Sequence, residues 1–428
     1  MRGRKLGLLL VIAAAIITGS YLYTNLTASG GAQAVDAPDV PDSATQIAFW
    51  EGRIAAQPGI TSYTYLAEAY LRSARVSGDL TAYERADTAL DQALAINPNY
   101  RDARFLMATV RFALHDFAEA REIAEALVSE RRPPAGTLLL LSDIYLALGD
   151  YDQAAEALGI EAERAPGAAT LSRQAIMADL HGDTAEAIRL MEAAAETARL
   201  SGALPESRAW FEYQVGYLHL KSGDPDTALD WFERADELLP GYYLAQAGMA
   251  RATAAQGDLA TASTHYQELI AAVPQPDYLA ALGDLYTLQG DAAAADEQYA
   301  TVEFIAELGA GAYDRQFTLY LLNHDLRLEE ALAAARQDVA QRQDVYAWDT
   351  LAWALYKQGR HAEAANAMAR ALAPGTVDAQ LHYHAGMIQA ALGDTVSARH
   401  HLERALEINP AFDPLQAGLA QAALAELP

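Results

Sequence analysis

A short turn followed five residues later by an alanine recurs about every 34 residues along most of this chain. The turns that contain glycine are Gly149-Asp150, Gly182-Asp183, Gly223-Asp224, Gly257-Asp258, Gly290-Asp291, Gly359-Arg360 and Gly393-Asp394. Ala120 and Ala331 hold the alanine position after turns without glycine, and successive alanines are 34, 33, 41, 34, 33, 36, 33 and 34 residues apart. Repeats of this length are typical of stacked helical pairs, so we expect an elongated array instead of one closed globule.

The composition agrees with an all-α structure. Hydrophobic residues make up 52% of the chain, and Ala and Leu, both strong helix formers, dominate them. No segment alternates between apolar and polar residues for long enough to predict a sheet. We therefore predict an all-α fold.

Charge and cysteine content limit the classes of partner. The formal net charge is −27, which disfavours binding to nucleic acid or anionic lipid headgroups because both would repel the protein. The chain has no cysteine, which excludes disulfides, thiolate metal ligands and a cysteine nucleophile. We predict no nucleic-acid partner and no cofactor.

The first 26 residues predict a membrane-directing segment. Arg2, Arg4 and Lys5 precede an uncharged stretch over residues 6–23, near the lower length limit for crossing a bilayer. Basic residues on this side predict a single-pass anchor with the body outside the cytoplasm. A cleaved signal peptide ending at Ala32-Gln33-Ala34 is the alternative, and the body would then be secreted. Residues 27–42 are rich in Ala, Gly, Asp and Pro and predict a flexible linker.

Four units carry further shared positions, with large apolar residues beside the small ones. The last unit has Ala385-Gly386, Gly393-Asp394, Ala398, Leu402, Ala405 and Pro410, and the other good matches centre on Gly223, Gly257 and Gly359. On these residues the chain resembles the tetratricopeptide repeat family. The resemblance implies a right-handed superhelical solenoid of about ten helix-turn-helix pairs over residues 43–428, closed by a capping helix at residues 413–427. His115-Asp116 and Asn323-His324-Asp325 replace the Gly-Asp turn, and residues 309–312 predict a loose joint.

The resemblance also implies that ligands, usually peptides, lie in a concave groove lined by the first helix of each pair. Its groove positions select Trp210, Tyr213, Tyr217 and Lys221 in one unit, and Tyr346, Asp349, Trp353, Tyr356 and Lys357 in another. Exposed Trp and Tyr side chains are favoured contact residues. The alternative is that these rings pack against the next helical pair. Asp143, Arg251 and Asp284 hold comparable positions elsewhere and make the groove mixed in charge.

Four histidines suggest a metal site only weakly. His382, His384, His400 and His401 are close in sequence, but positions two apart on a helix point in different directions and do not chelate together. No phosphate-binding glycine loop or hydrolase motif is present in the sequence. We predict a non-catalytic scaffold that binds a protein or peptide, and a chaperone-like accessory for exported or envelope proteins is the alternative. No small-molecule substrate is evident.

Overall fold

The computed structural model describes residues 42–308 and 315–428. This part of the chain contains 22 helices and no strand, which confirms the all-α prediction. The helices are α1 Ser43–Ala56, α2 Ile60–Ser77, α3 Thr81–Ile96, α4 Arg101–Ala113, α5 Phe117–Val128, α6 Thr137–Leu148, α7 Tyr151–Arg164, α8 Ala168–Leu180, α9 Thr184–Leu200, α10 Pro205–Lys221, α11 Pro225–Leu238, α12 Tyr243–Ala255, α13 Leu259–Ala272, α14 Pro276–Gln289, α15 Ala292–Leu308, α16 Arg315–Asn323, α17 Leu328–Gln341, α18 Val345–Lys357, α19 His361–Ala371, α20 Ala379–Leu392, α21 Thr395–Ile408 and α22 Gln416–Glu426.

The helices from α2 to α21 form ten consecutive pairs, in which a first helix A and a second helix B are joined by a short turn. Short turns between neighbours that pack along their length make each pair antiparallel. Helix A is the inner helix: α6 buries ten of its twelve residues, whereas its partner α7 buries four of fourteen. Helix A of one pair also packs on helix A of the next, so the A helices form the inner wall of the array.

Each Gly-Asp turn ends one helix and begins the next. The glycine adopts a left-handed conformation, as at Gly149 (φ +82°), where the helix stops. At most of these turns the aspartate then caps helix B: the carboxylate of Asp183 accepts a hydrogen bond from the Glu186 N–H, although Asp150 makes no such bond. The two turns without glycine use other residues in the same conformation, His115 (φ 61°) and Asp325 (φ 55°).

Small residues on helix A let helix B approach closely, as the repeat pattern predicts. A Cβ on Gly216 would lie 2.7 Å from the ring of Phe232, and one on Gly386 would lie 2.7 Å from Leu402. These distances are shorter than van der Waals contact, so glycine is required at both positions.

The array coils until its two superhelical turns touch along a line of contacts that we call the seam. At four of the first five pairs, the turn between helices A and B meets the loop that follows helix B five pairs later. Gly78 meets Val273, Gly149 meets Gln343, Gly182 meets Gly375 and Gly223 meets Ile408. In the remaining pair, the second, the Phe117 ring lies 5.5 Å from the guanidinium of Arg342, which follows helix B six pairs later.

Hydrogen bonds across the seam satisfy carbonyl groups that a helix leaves free at its C-terminal end. Three of the A helices carry a leucine as their last or penultimate residue, and its carbonyl accepts from the facing segment: Leu148 from the Gln343 N–H at 3.0 Å, Leu180 from the Thr376 hydroxyl at 2.6 Å, and Leu220 from the Asn409 amide at 2.9 Å. The seam is therefore a repeated contact with the same chemistry at successive pairs.

The predicted membrane segment at residues 1–26, the predicted linker at residues 27–42 apart from its last residue, Asp42, and the loose joint at residues 309–312 lie outside the described residues. Within residues 42–308 and 315–428, no helix combines the length and the apolar character needed to span a bilayer.

Seam glycines and free glycines are predicted to respond differently to alanine. Any L-residue in the left-handed conformation costs roughly 1–2 kcal/mol. At Gly149 and Gly182 the added Cβ would also overlap a backbone carbonyl oxygen, which costs roughly another 1–3 kcal/mol unless the seam separates. At Gly290 and Gly393, with nearly the same φ, nothing lies within 4 Å.

We therefore expect Gly149→Ala and Gly182→Ala to lower the urea midpoint more than Gly290→Ala and Gly393→Ala do. Equal losses in all four variants would show that the seam contributes nothing to stability.

Candidate functional site

Two of the sequence-predicted units meet across the seam around one ammonium group. Lys221 Nζ, at the end of α10, lies 2.7 Å from Asp179 Oδ2 and 3.8 Å from Asp378 Oδ2. The hydroxyl of Tyr346, in the first turn of α18, donates to Asp378 Oδ2 at 3.4 Å. Tyr217 precedes Lys221 by one helical turn and completes this group, which we call the Lys221 cluster.

The environment of the Lys221 cluster is enclosed but reached by solvent. Burial raises the pKa of Tyr217 to about 12 and is also the largest cause of the raised pKa of Tyr346. Yet 37% of Tyr346 is accessible. Tyr346 lies on helix α18, one of the A helices that form the inner wall of the coiled array, and we call the space inside this wall the lumen. Burial acts to lower the pKa of Lys221, but Tyr346, Asp378 and Asp179 raise it, and the net shift is upward.

A second polar group lies on the inner wall formed by α10, α12 and α14. The guanidinium of Arg251 lies 3.7 Å from Asp277 Oδ2, and its positive charge acts on the neighbouring Tyr213 and Tyr266. The Arg251 side chain is 41% accessible. Burial is the largest single influence on its pKa and acts to lower it. Neighbouring Tyr266, Tyr213 and Asp277 act in the opposite direction, and the net shift of the Arg251 pKa is upward. We call this group the Arg251 cluster.

Each cluster contains a carboxylate with unused hydrogen-bonding capacity. Within the described residues, Asp179 Oδ1 and Asp277 Oδ1 are buried atoms without a hydrogen-bond partner. Burial is the largest cause of the raised pKa of Asp277.

The predicted tryptophans lie in the core, not in the lumen. Trp210 is 2% accessible and Trp353 1% accessible. The Trp353 ring stacks between Tyr356 and His384, at centroid distances of 4.7 and 4.2 Å, and its Nε1 donates to Asn323. The sequence leaves open whether these indole rings line the groove or pack against the next helical pair. In the structure they pack in the core.

The other predicted groove residues divide between core and surface. Tyr213 is 3% accessible but touches the Arg251 cluster. Asp349 is buried and its Oδ1 lies 2.8 Å from Nδ1 of His384. Lys357 forms an ion pair with Asp325 at 2.8 Å. Tyr217, Lys221 and Tyr346 are the predicted residues that come together at the lumen, and a role for any of these residues in partner binding stays a prediction.

Sequence reasoning did not identify the aspartates of the two clusters. Asp378 carries a helix-start signal, since its Oδ1 accepts from the N–H groups of Gln380 and Leu381 and so caps α20. Asp179 and Asp277 have no distinguishing neighbours in sequence. Asp179 and Tyr346 approach the same ammonium only because the array has completed a superhelical turn between them.

The four neighbouring histidines do not converge. His382 Nδ1 lies 2.9 Å from His401 Nδ1, while His384 is fully buried against Asp349 and His400 is exposed. Among the residues that the structure describes, no three His, Cys, Asp or Glu side chains are arranged to hold a metal ion.

Removing one partner of the buried ion pair between Asp143 and Arg173 should destabilise the fold more than replacing both partners. Their side chains are 1% and 0% accessible, and Arg173 Nη2 lies 2.9 Å from Asp143 Oδ2. Arg173→Met leaves a buried carboxylate without its cation, which costs roughly 3–5 kcal/mol, whereas an apolar pair of similar volume is often neutral. We expect the double variant Asp143→Leu/Arg173→Met to be more stable than Arg173→Met in urea unfolding. A double variant that is less stable than the single one would contradict this.

Acid should destabilise the fold through two enclosed histidines. Burial, with Arg342 and Arg315, lowers the pKa of His115 to about 3, and burial, with His401 and Arg404, lowers that of His382 to about 4. In the unfolded chain histidine titrates near pH 6.5, so the unfolded state binds more protons between about pH 6.5 and 4 and stability falls as the pH falls through this window.

The double variant His115→Asn/His382→Asn should lose less stability than the parent between pH 7 and pH 4.5, measured as the change in urea midpoint. Asn suits the left-handed conformation of His115. The exposed His400→Asn is the control, and an unchanged pH dependence in the double variant would refute the assignment.

Comparison with known proteins agrees with the helical pairs. Two family models, both described as tetratricopeptide repeat, match the chain. One matches residues 80–137 and 219–285, and the other matches residues 139–202, 181–243 and 350–414. Together these segments cover more than half of the chain. A search of curated proteins gave no significant match.

Several solved structures resemble the chain at low identity. The APC/C hetero-tetramer Cut9–Hcn1 is 14% identical, with 90% of this chain and 93% of that chain covered and a TM-score of 0.35. Yeast Tom70 is 12% identical, with 89% and 92% covered and a TM-score of 0.35. A tetratricopeptide repeat protein from Parabacteroides merdae is 16% identical, with 60% and 96% covered and a TM-score of 0.34. Likeness at these TM-scores carries no argument about function.

The family matches and the ten helical pairs lead to one conclusion. The chain belongs to the tetratricopeptide repeat family, whose members are protein-interaction scaffolds.

Proposed function

We propose that this protein is a non-catalytic scaffold that binds an extended segment of a partner polypeptide in its lumen. The observation that carries the proposal is the pair of polar clusters on the inner wall. They present the accessible Arg251 and Tyr346 side chains on the inner wall of the coiled array.

The two clusters suit the chemistry of a peptide backbone. An extended peptide offers N–H donors and carbonyl acceptors at regular intervals. The Arg251 guanidinium can donate to carbonyls or to a carboxylate, and the Tyr346 hydroxyl, whose proton goes to Asp378, can accept from an N–H group. Tyrosine rings add large contact areas at small entropic cost. The lumen therefore favours a polypeptide over a polyanion, which the net charge of −27 would repel.

We place this scaffold outside the cytoplasm, attached through residues 1–26. The support is the sequence alone: basic residues followed by an apolar stretch. Protease added to intact spheroplasts should digest the body, and membrane pellets should retain it after a high-salt wash. Protection of the body from protease would refute this placement, and loss of the N-terminal residues from the mature chain would favour a secreted protein.

Site-specific photocrosslinking tests the lumen directly. A benzophenone amino acid at Tyr346 should crosslink a partner in cells, whereas the same group at Arg189, which is 64% accessible on an outer helix, should not. The crosslinked partner, once purified, should bind Arg251→Ala at least about tenfold more weakly than the parent, as expected for loss of a central contact. Arg189→Ala is the matched control.

The pattern of crosslinks also separates the scaffold from its alternative. One or a few partners that bind in folded form support the scaffold. Many unfolded chains crosslinked at Tyr346, together with suppression of aggregation by the purified protein, would favour a chaperone-like accessory. Equal crosslinking from Tyr346 and Arg189 would remove the lumen from consideration.

A further inference from the structure

The seam differs in kind from every other interface of the array. Neighbouring pairs share three apolar clusters of buried side chains that follow the chain from pair to pair. Within the described residues, none of these clusters joins the turn side of the seam to the loop side. The contacts across it include hydrogen bonds and ion pairs, such as Thr376 to Leu180 and Lys221 to Asp378, and single apolar contacts, such as that of Gly78 with Val273.

Polar contacts without a shared apolar core separate more readily than packed helices do. Each hydrogen bond across the seam can be replaced by one to water, so opening leaves few groups unsatisfied. Separating two helical pairs within a superhelical turn would instead expose apolar surface. The seam is therefore the interface that opens first when the protein fluctuates.

The seam also closes the side of the lumen. Lys221 of the fifth pair binds both Asp179 of the fourth pair and Asp378 at the start of the tenth, so the wall is continuous between the two superhelical turns at this point. A polypeptide segment with folded domains on both sides cannot be threaded through the ends of such a space. It needs an opening along the side.

We propose that the seam is a gate, at which the two superhelical turns separate reversibly to admit a polypeptide segment sideways into the lumen. The gate's role in partner binding rests on the proposed scaffold function, whereas its opening is a property of this chain alone. The glycines at Gly149, Gly182 and Gly223 allow closure, because a side chain at any of them would push the facing backbone carbonyl away.

The absence of cysteine makes the gate directly measurable. Arg251→Cys places one thiol in the lumen, and its reaction is followed with N-ethylmaleimide and with a bulky polymer-linked maleimide. Adding Gly182→Ala should speed the bulky reagent by about tenfold or more, because the rate follows the population of the open form when opening is fast. The small reagent should change much less. Gly393→Ala, with no facing backbone, should change neither rate.

A second reporter guards against local effects of the Arg251 substitution. Tyr217→Cys faces the same lumen from the Lys221 cluster and should respond in the same way. If Gly182→Ala leaves the bulky-reagent rate unchanged at both reporters, the lumen fills through its ends and the gate is overturned.

Spin-label distances test the opening itself without any partner. His181 and Pro374 face each other across the seam, with His181 Nδ1 3.3 Å from the Pro374 carbonyl. Nitroxides on His181→Cys/Pro374→Cys should give a short and a long distance population, and Gly149→Ala should increase the long one. The control pair Asp226→Cys/Gln256→Cys, in contact within one superhelical turn, should give one distance. A single short distance across the seam in both backgrounds would contradict the proposal.

These outcomes are independent of the scaffold test. Seam opening without a crosslink from Tyr346 would support the gate and contradict the scaffold function. A crosslink from Tyr346 without seam opening would support the scaffold function and contradict the gate.

Discussion

The left-handed residue between helix A and helix B is the constraint on which the rest of this structure depends. It ends helix A and turns the chain back along the first helix, as at Gly149. The following aspartate, through its hydrogen bond to the third N–H of helix B, starts the return helix at once, as at Asp183. Repeating this geometry makes every pair alike, and alike pairs that stack with a constant rotation must coil.

Coiling gives identical turns two different environments. In the first half of the array each turn meets a loop of the next superhelical turn, and Gly149, Gly182 and Gly223 have a backbone carbonyl where a side chain would stand. In the second half the turns at Gly290 and Gly393 face open space. The turn glycine therefore ends helix A wherever it occurs in the array. It allows close approach of a second superhelical turn only where such a turn lies against it.

The lumen is a consequence of the same closure. The residue six positions before the turn glycine is Asp143, Tyr217, Arg251 and Asp284 in four different pairs. What each of them does depends on its neighbours. Asp143 is neutralised by Arg173 in the core, Asp284 lies 3.2 Å from His324, and Arg251 keeps accessible donors in the enclosed space. Because these neighbours differ from pair to pair, equivalent positions on the inner wall have different polarity and accessibility.

Much of the fold is readable from the sequence, because the signals for a helical pair are local. Glycine at the turn, alanine five residues later and large residues beside them all act within about 34 residues, and they predict the all-α array and the close approach of helices A and B. The predicted site is recovered less well. Trp210 and Trp353 satisfy the groove pattern but pack in the core, since the pattern does not distinguish a ring that faces the lumen from one that faces the next pair.

The sequence by itself determined the repeating unit, its helices and the residue types on the inner face of helix A. Only the tertiary structure decided that Lys221 and Tyr346, more than a hundred residues apart, share a carboxylate at Asp378. The physical reason is that the rotation between neighbouring pairs is small and comes from side-chain packing, whereas the meeting of distant pairs depends on the sum of several such rotations. No local pattern carries that sum, so the seam and the lumen exist only in the assembled array.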